Sequence, residues 1–113
     1  MGEPTIDPAT FAELQETAGA DFVNELVQTF LEEAPAMLQE LREALAAGHA
    51  DDYRRAAHSL KSNSLTFGAR TLGAMAREQE LGGLPTDRSP ASLNALAQEY
   101  ERVAAALTEL CHG

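Results

Sequence analysis

Apolar residues recur at steps of three and four along most of this chain, and this spacing constrains the fold more than any other feature. One unbroken stripe contains Phe22, Val23, Leu26, Val27, Phe30, Leu31, Ala34, Met37, Leu38, Leu41 and Leu45. Such a period gives an α-helix one apolar side. Composition agrees, because 15 Leu and 21 Ala stand against 3 Val and 1 Ile, and strands favour the branched residues that are scarce here. The chain is predicted to be all-α.

Helix-start and helix-stop residues divide the chain into five predicted helices. The pairs Asp7-Pro8 and Ser89-Pro90 place a capping side chain before a proline, and Asp21 is predicted to cap the second helix. The predicted helices cover roughly 7–17, 21–47, 51–67, 70–82 and 89–111. Because amphipathic helices with short connections favour antiparallel neighbours, we expect an up-down-up-down four-helix bundle with a short extra N-terminal helix. The whole chain, residues 1–113, is predicted to be one domain.

The net charge, the length of the apolar runs and the number of cysteines together exclude several classes of partner and of site. The net charge of −10 disfavours binding to nucleic acid and to anionic membrane surfaces. Because no apolar run approaches the ~18 residues of a membrane span and the first ten residues do not resemble a signal peptide, we expect a cytoplasmic protein. A single cysteine, Cys111, excludes an internal disulfide and a cysteine-based zinc site. We expect a monomer.

The basic residues are concentrated in one stretch. Residues 53–77 contain no acidic side chain and carry +5, which leaves −15 on the rest of a chain whose total is −10. The five cations are Arg54, Arg55, Lys61, Arg70 and Arg77. This pattern indicates an anionic ligand or partner, and chance clustering together with helix-end charges is the alternative.

His58 lies inside this basic stretch, on the predicted third helix. A helical wheel places one core stripe through Tyr53, Ala57, Leu60, Ser64 and Phe67. His58 lies roughly 140° from the centre of that stripe, too far round the helix for a core histidine. Its neighbours at steps of three, four and seven are Arg54, Lys61, Ser62 and Leu65. The ammonium of Lys61, the only lysine, would neutralise a phosphoryl group on the ring, but an ordinary surface histidine has the same spacing.

The local sequence around His58 is more specific than its spacing. The segment Ala57-His58-Ser59-Leu60-Lys61-Ser62-Asn63-Ser64 is followed by Phe67-Gly68-Ala69 and then by Leu72, Met75 and Glu80. This pattern resembles the signature of histidine phosphotransfer (HPt) domains of two-component phosphorelays. The resemblance extends over nearly the whole chain and includes a long acidic second helix with an internal proline, Glu32-Glu33-Ala34-Pro35. The histidine motif is its specific part, since the flanking helices are generic.

The resemblance implies a role for each residue around the histidine. His58 would take a phosphoryl group from the aspartyl phosphate of one receiver domain and pass it to an aspartate of another. Lys61 would pair with the phosphoryl oxygens, and the small Ser62 would keep the approach open. Glu80 would bind the other ring nitrogen and orient the ring, with a solvated helix residue as the alternative. Arg54 would steer an acidic receiver pocket, although an ordinary surface arginine fits equally well.

The sequence also departs from the family pattern. Ser62 stands where glycine is commonest, and Leu65 stands where a small residue is frequent. We predict that Leu65 belongs to the docking patch for a helix of the receiver, because partner surfaces combine an apolar centre with a charged rim. The expected partners are response-regulator receiver domains and a hybrid histidine kinase. The chain would need no cofactor of its own, with Mg²⁺ bound by the receiver, and would be a phosphohistidine carrier without ATP-dependent kinase activity.

Three other functions compete with phosphotransfer as interpretations of this sequence. A sensor-kinase dimerisation domain typically has an acidic residue directly after its histidine, where this chain has Ser59, and no glycine-rich nucleotide motif is present. A metal site is disfavoured because His49, His58 and His112 are dispersed. A helical adaptor that binds a receiver without transferring a phosphoryl group remains the alternative.

Overall fold

Five α-helices make up the described part of the chain, which is residues 4–87 and 89–112 of a computed structural model. They are α1 (Pro8–Ala18), α2 (Ala20–Ala47), α3 (Ala50–Thr66), α4 (Arg70–Gly82) and α5 (Ala91–His112). No strand occurs within these ranges, which confirms the prediction of an all-α chain. Arg88, in the connection between α4 and α5, lies outside the described residues. None of the five helices is both long and apolar enough to cross a membrane.

The ends of α1 and α2 follow from a few capping residues. Asp7 caps α1 as predicted, because its Oδ2 accepts a hydrogen bond from the Thr10 backbone N–H at 3.3 Å. The predicted cap of α2 is wrong. Gly19 (φ +90°) is the N-cap, and Asp21 lies exposed in the first turn of the helix. A carboxylate is favoured there by the helix dipole instead of by a capping hydrogen bond.

The helices pack in a closed series of neighbours. α2 packs against α3 and α5, α4 packs against α3 and α5, and α1 packs against α2. The Phe30 ring of α2 lies 5.4 Å from Phe67, at the end of α3, and 5.8 Å from Tyr100 of α5. These aromatic contacts join three helices in the core, with geometries typical of tilted and edge-to-face pairs.

The segment before α1 holds the turn between α3 and α4. The Asp7 backbone N–H donates to the Gly68 carbonyl at 2.8 Å. Gly68 has a φ of +84°, and a Cβ added there would lie 3.0 Å from Thr10 Cβ. Only glycine fits this left-handed position without strain. The turn that sends the chain from α3 into α4 is therefore fixed by its conformation and by its contact with the N-terminal segment.

Candidate functional site

The two faces of α3 separate as the helical wheel predicts. The predicted core stripe is buried along its whole length, at Tyr53, Ala57, Leu60, Ser64 and Phe67. The hydroxyl of buried Ser64 is satisfied by donating to the Leu60 carbonyl at 2.6 Å. His58 lies on the opposite side of the helix, with 57% of its side chain exposed. The prediction that His58 is not a core histidine is confirmed.

One carboxylate from α4 contacts two side chains of α3. The Oε2 atom of Glu80 lies 2.7 Å from Nδ1 of His58, and its Oε1 lies 2.7 Å from Nζ of Lys61. Glu80 and Lys61 are mostly covered, with 16% and 21% of their side chains exposed. Within the described part of the chain, the buried Oε1 atom has the Lys61 ammonium as its charged partner. We call these three residues the carboxylate-bridged triad.

The charge of Glu80 determines which nitrogen of His58 is open. The close Lys61 ammonium is the main cause that lowers the pKa of Glu80, the contact with His58 is the second, and desolvation opposes both. Glu80 is therefore ionised near neutral pH and only accepts hydrogen bonds. It follows that Nδ1 of His58 carries a proton and donates a hydrogen bond to Oε2 of Glu80. In the neutral ring the lone pair is then on Nε2. No described residue forms a hydrogen bond with this nitrogen.

A glycine inside α4 accommodates Leu65, one of the two residues at which the sequence departs from the family pattern. A Cβ added at Gly73 would lie 2.6 Å from Cδ2 and 2.9 Å from Cγ of Leu65. The side chain of Leu65 thus occupies the space that another residue at 73 would need, while 47% of Leu65 stays exposed. Ser62, one turn before it, is also exposed. Sequence reasoning missed Gly73, although a glycine inside a helical pattern is itself a signal of close packing.

A partly buried hydrogen bond also joins α3 and α4. The Tyr53 hydroxyl donates to Oε1 of Gln79 at 2.6 Å, and Tyr53 is fully buried. The sequence placed Tyr53 only on the core stripe and did not identify its partner. The available signal was that a buried tyrosine hydroxyl requires an acceptor.

The basic stretch at residues 53–77 has less unpaired positive charge in the structure than its five cations suggest. Arg54 lies 3.7 Å from Asp51, and Arg55 lies 3.1 Å from Asp52, so both arginines meet carboxylates of the preceding turn. Lys61 is paired with Glu80 of α4 at 2.7 Å. The window of residues 53–77 stopped just short of these acidic residues on both sides. Three of the five predicted cations are therefore ion-paired.

The described residues contain no cluster of three His, Cys, Asp or Glu side chains that could hold a metal ion. His49 instead lies 3.5 Å from Asp52 at the start of α3. Cys111 is partly buried beside the core, and burial raises the pKa of its thiol. The side chain of His112 lies outside the described residues.

Comparison with known proteins places this geometry in a family. The family model of the Hpt domain matches residues 25–112. The structure is similar to that of histidine-containing phosphotransfer protein B (HptB) from Pseudomonas aeruginosa PAO1, with a TM-score of 0.87 and 30% sequence identity. That alignment covers 98% of this chain and 97% of the other. Comparison with curated protein sequences gives no significant match. The chain belongs to the Hpt domain family of histidine phosphotransfer proteins.

Proposed function

We propose that His58 accepts a phosphoryl group from the aspartyl phosphate of one receiver domain and passes it to an aspartate of another. The observation that carries this proposal is the 2.7 Å contact between Nδ1 of His58 and Oε2 of Glu80. It engages one ring nitrogen and leaves the lone pair of Nε2 on a half-exposed ring. A positioned imidazole with one open nitrogen is a suitable nucleophile.

The transfer step balances without a further reactant. The lone pair of Nε2 forms a bond to phosphorus while the bond from phosphorus to the receiver's aspartate oxygen breaks. The electron pair of that bond leaves on the aspartate carboxylate. The ring gains positive charge, which the Nδ1–H shares with the carboxylate of Glu80 across 2.7 Å. The return step is the reverse, so the chain acts as a phosphohistidine carrier and not as an ATP-dependent kinase.

Lys61 is the cation that this chain would offer to the phosphoryl group. It follows His58 by three residues on α3, so the two side chains are neighbours on the helix surface. A phosphoryl group carries close to two negative charges, and a nearby ammonium stabilises it. The Mg²⁺ that assists phosphoryl transfer would be bound by the receiver's acidic pocket. Lys61 would therefore stabilise charge on this side of the transfer.

The surface around His58 supplies the remaining contacts to a receiver. Leu65 offers an exposed apolar side chain, Ser62 a small neighbour that leaves the ring accessible, and Arg54 a charge at the rim. An apolar centre with a charged rim is typical of partner surfaces. We assign these three residues to receiver docking. The partners would be response-regulator receivers and a hybrid histidine kinase, met by a monomer in the cytoplasm.

We also infer that α2 to α5 form the up-down-up-down four-helix bundle, with α1 added at one end. The support is the closed ring of packing, in which α2 meets α3 and α5 while α4 meets the same two helices. Short connections between consecutive helices favour antiparallel neighbours.

The test is to incubate the full chain with a receiver domain carrying a labelled aspartyl phosphate. Label on this chain should be acid-labile and alkali-stable, as a phosphorylated histidine nitrogen is. His58→Gln should abolish it. His49→Gln is the matched control, because His49 is also an exposed histidine but lies at the N-terminus of α3 beside Asp52. It should keep the label.

Two results would contradict the assignment. Label that persists in His58→Gln would place the acceptor elsewhere. Binding to a panel of receivers without label on this chain would favour the helical adaptor over the phosphotransfer protein.

A further inference from the structure

The last turn of α4 carries Glu80 in an unfavourable position. α4 ends at Gly82, and Gly83 (φ +70°) closes the helix by donating its N–H to the Gln79 carbonyl at 3.0 Å. A carboxylate in this last turn is disfavoured by the negative end of the helix dipole. No basic residue stands in the turn to compensate. Glu80 therefore depends on partners from outside its own helix.

The same turn has little side-chain packing of its own. Leu81, next to Glu80, is 69% exposed. A Cβ added at Gly82 or at Gly83 would meet nothing within 4 Å, so both positions face open space. A helix end with few buried contacts opens at low cost in free energy. Something other than local packing must hold Glu80 close to α3.

The Tyr53–Gln79 hydrogen bond lies at this point. Gln79 directly precedes Glu80, and its Oε1 accepts from the Tyr53 hydroxyl at 2.6 Å. Tyr53 is fully buried in α3, five residues before His58. Breaking this bond would leave a buried hydroxyl and a largely covered amide without partners, which is costly. The bond thus connects the rigid core face of α3 to the loosely packed end of α4.

We propose that Tyr53 is a positioning residue for the carboxylate-bridged triad, acting through Gln79 on Glu80. With the bond intact, Glu80 stays 2.7 Å from Nδ1 of His58 and keeps the ring proton there. With the bond lost, the end of α4 moves away from α3 and Nδ1 loses its acceptor. The free neutral imidazole prefers its proton on Nε2, where the lone pair for attack is needed. The consequence for transfer rests on the function proposed above, whereas the effect on the ring does not.

Tyr53→Phe tests the inference, with Tyr100→Phe as its matched control. Tyr100 is also buried, but its hydroxyl points to the Leu31 carbonyl at 3.4 Å, between α5 and α2. The ¹⁵N chemical shifts of the His58 ring, measured by NMR on the unphosphorylated chain at neutral pH, report the tautomer. We expect Tyr53→Phe to shift the population from Nδ1–H towards Nε2–H and to slow phosphoryl acceptance roughly tenfold. Tyr100→Phe should change neither.

A second variant approaches the bond from the other side. Gln79→Ala removes the acceptor and keeps Tyr53, so it should move the His58 shifts in the same direction even where Tyr53→Phe folds poorly. Unchanged ring shifts in both variants, or equal changes in Tyr100→Phe, would overturn the inference. A wild-type chain that accepts no phosphoryl group refutes the proposed function alone, because the tautomer shift is measured without phosphate.

Discussion

Two clusters of charged side chains lie along α3, and they are held together in different ways. The first is at its N-terminal end, where Arg54 meets Asp51 and Arg55 meets Asp52, at 3.7 and 3.1 Å. Each of these pairs joins residues three apart on one helix, and all four side chains are exposed. The second is the carboxylate-bridged triad, in which His58 and Lys61 meet Glu80 of another helix, both at 2.7 Å.

The difference shows which charges can serve chemistry. Exposed ion pairs at helical spacing are screened by water and contribute little to the free energy of unfolding. Their geometry is therefore loosely held. The carboxylate of Glu80 is largely removed from water and has two partners, so its charge and its position are both constrained. A nucleophile needs a fixed tautomer, and only the second cluster supplies one.

Removing the ammonium of the triad should have the largest effect. Lys61→Met keeps a chain of similar length but takes away the cation that would stabilise the phosphoryl group. It also leaves Glu80 without the main cause of its lowered pKa. We expect the rate of phosphoryl acceptance to fall roughly 100-fold, at the lower end of the ~10²- to 10³-fold range seen when one charge-stabilising donor is removed from a site. Rapid-quench measurement with a phosphorylated receiver gives this rate.

Arg55→Met is the control for that loss of charge. Arg55 lies in the exposed cluster and its nearest carboxylate is that of Asp52 at 3.1 Å. The substitution removes the same net charge from the same helix, so an effect of overall electrostatic steering would appear in both variants. We expect the acceptance rate to stay within about twofold of wild type. Equal losses in Lys61→Met and Arg55→Met would remove the contrast between the two clusters.

The acid dependence of stability should carry the signature of Glu80. Its pKa in the folded chain lies below the ordinary value of 4.5, so the folded state holds this proton less tightly than the unfolded state. The resulting stabilisation is complete above that ordinary value and is lost as the pH falls through the lower folded pKa. Glu80→Gln should therefore lose less unfolding free energy than wild type when the pH falls from 6 into this range.

Urea unfolding at a series of pH values measures this slope. Glu78→Gln is the comparison, because Glu78 is an exposed carboxylate one turn from the end of the same helix. An equal flattening of the slope in Glu78→Gln would mean that overall charge, and not the triad, is being measured. Asp7 adds to the wild-type slope in both cases, because its hydrogen bonds with Thr10 lower its pKa as well.

The two clusters also differ in how far they could be predicted from the sequence. The helices, the core stripe of α3 and the exposure of His58 follow from periodicity, which is a local property. The pairing of Lys61 with Glu80 joins residues 19 positions apart and requires the relative placement of α3 and α4. Resemblance to a family predicted an orienting Glu80 but not its contact with Lys61. Asp21 was wrongly predicted as the N-cap of α2. Identifying a cap requires the first residue of the helix to be known, and helix ends are uncertain by one or two residues.

The close approach of α3 and α4 depended on a contact that periodicity does not encode. The spacing of apolar residues does not identify Gly73 as a contact position, and it does not show that Leu65 packs against Gly73. The Tyr53–Gln79 hydrogen bond could not be predicted either, because neither residue is unusual within the sequence pattern of its own helix. What the sequence left open was therefore the set of contacts between α3 and α4 that brings Glu80 to His58.

A double-mutant cycle at Leu65 and Gly73 tests that approach directly. Gly73→Ala alone forces a methyl group against Leu65 and should destabilise the fold by about 1 kcal/mol, because overpacking outweighs the gain in helix propensity. In a Leu65→Ala background the space is free, so the same substitution should stabilise by about 0.5–1 kcal/mol. Urea unfolding gives both values. The same sign in both backgrounds would show that Leu65 does not fill this space.

The smallest effect is expected where the charge pairs are most numerous. Asp52→Asn removes the carboxylate that lies 3.1 Å from Arg55 and 3.5 Å from His49 at the start of α3. Both pairs are exposed, so we expect the free energy of unfolding to fall by no more than about 0.5 kcal/mol and the acceptance rate to stay within about twofold. A loss of transfer as large as that of Lys61→Met would mean that the exposed cluster takes part in the chemistry. Its pairs would then have to be counted with the triad, because proximity along one helix would be enough to position a charge for the reaction.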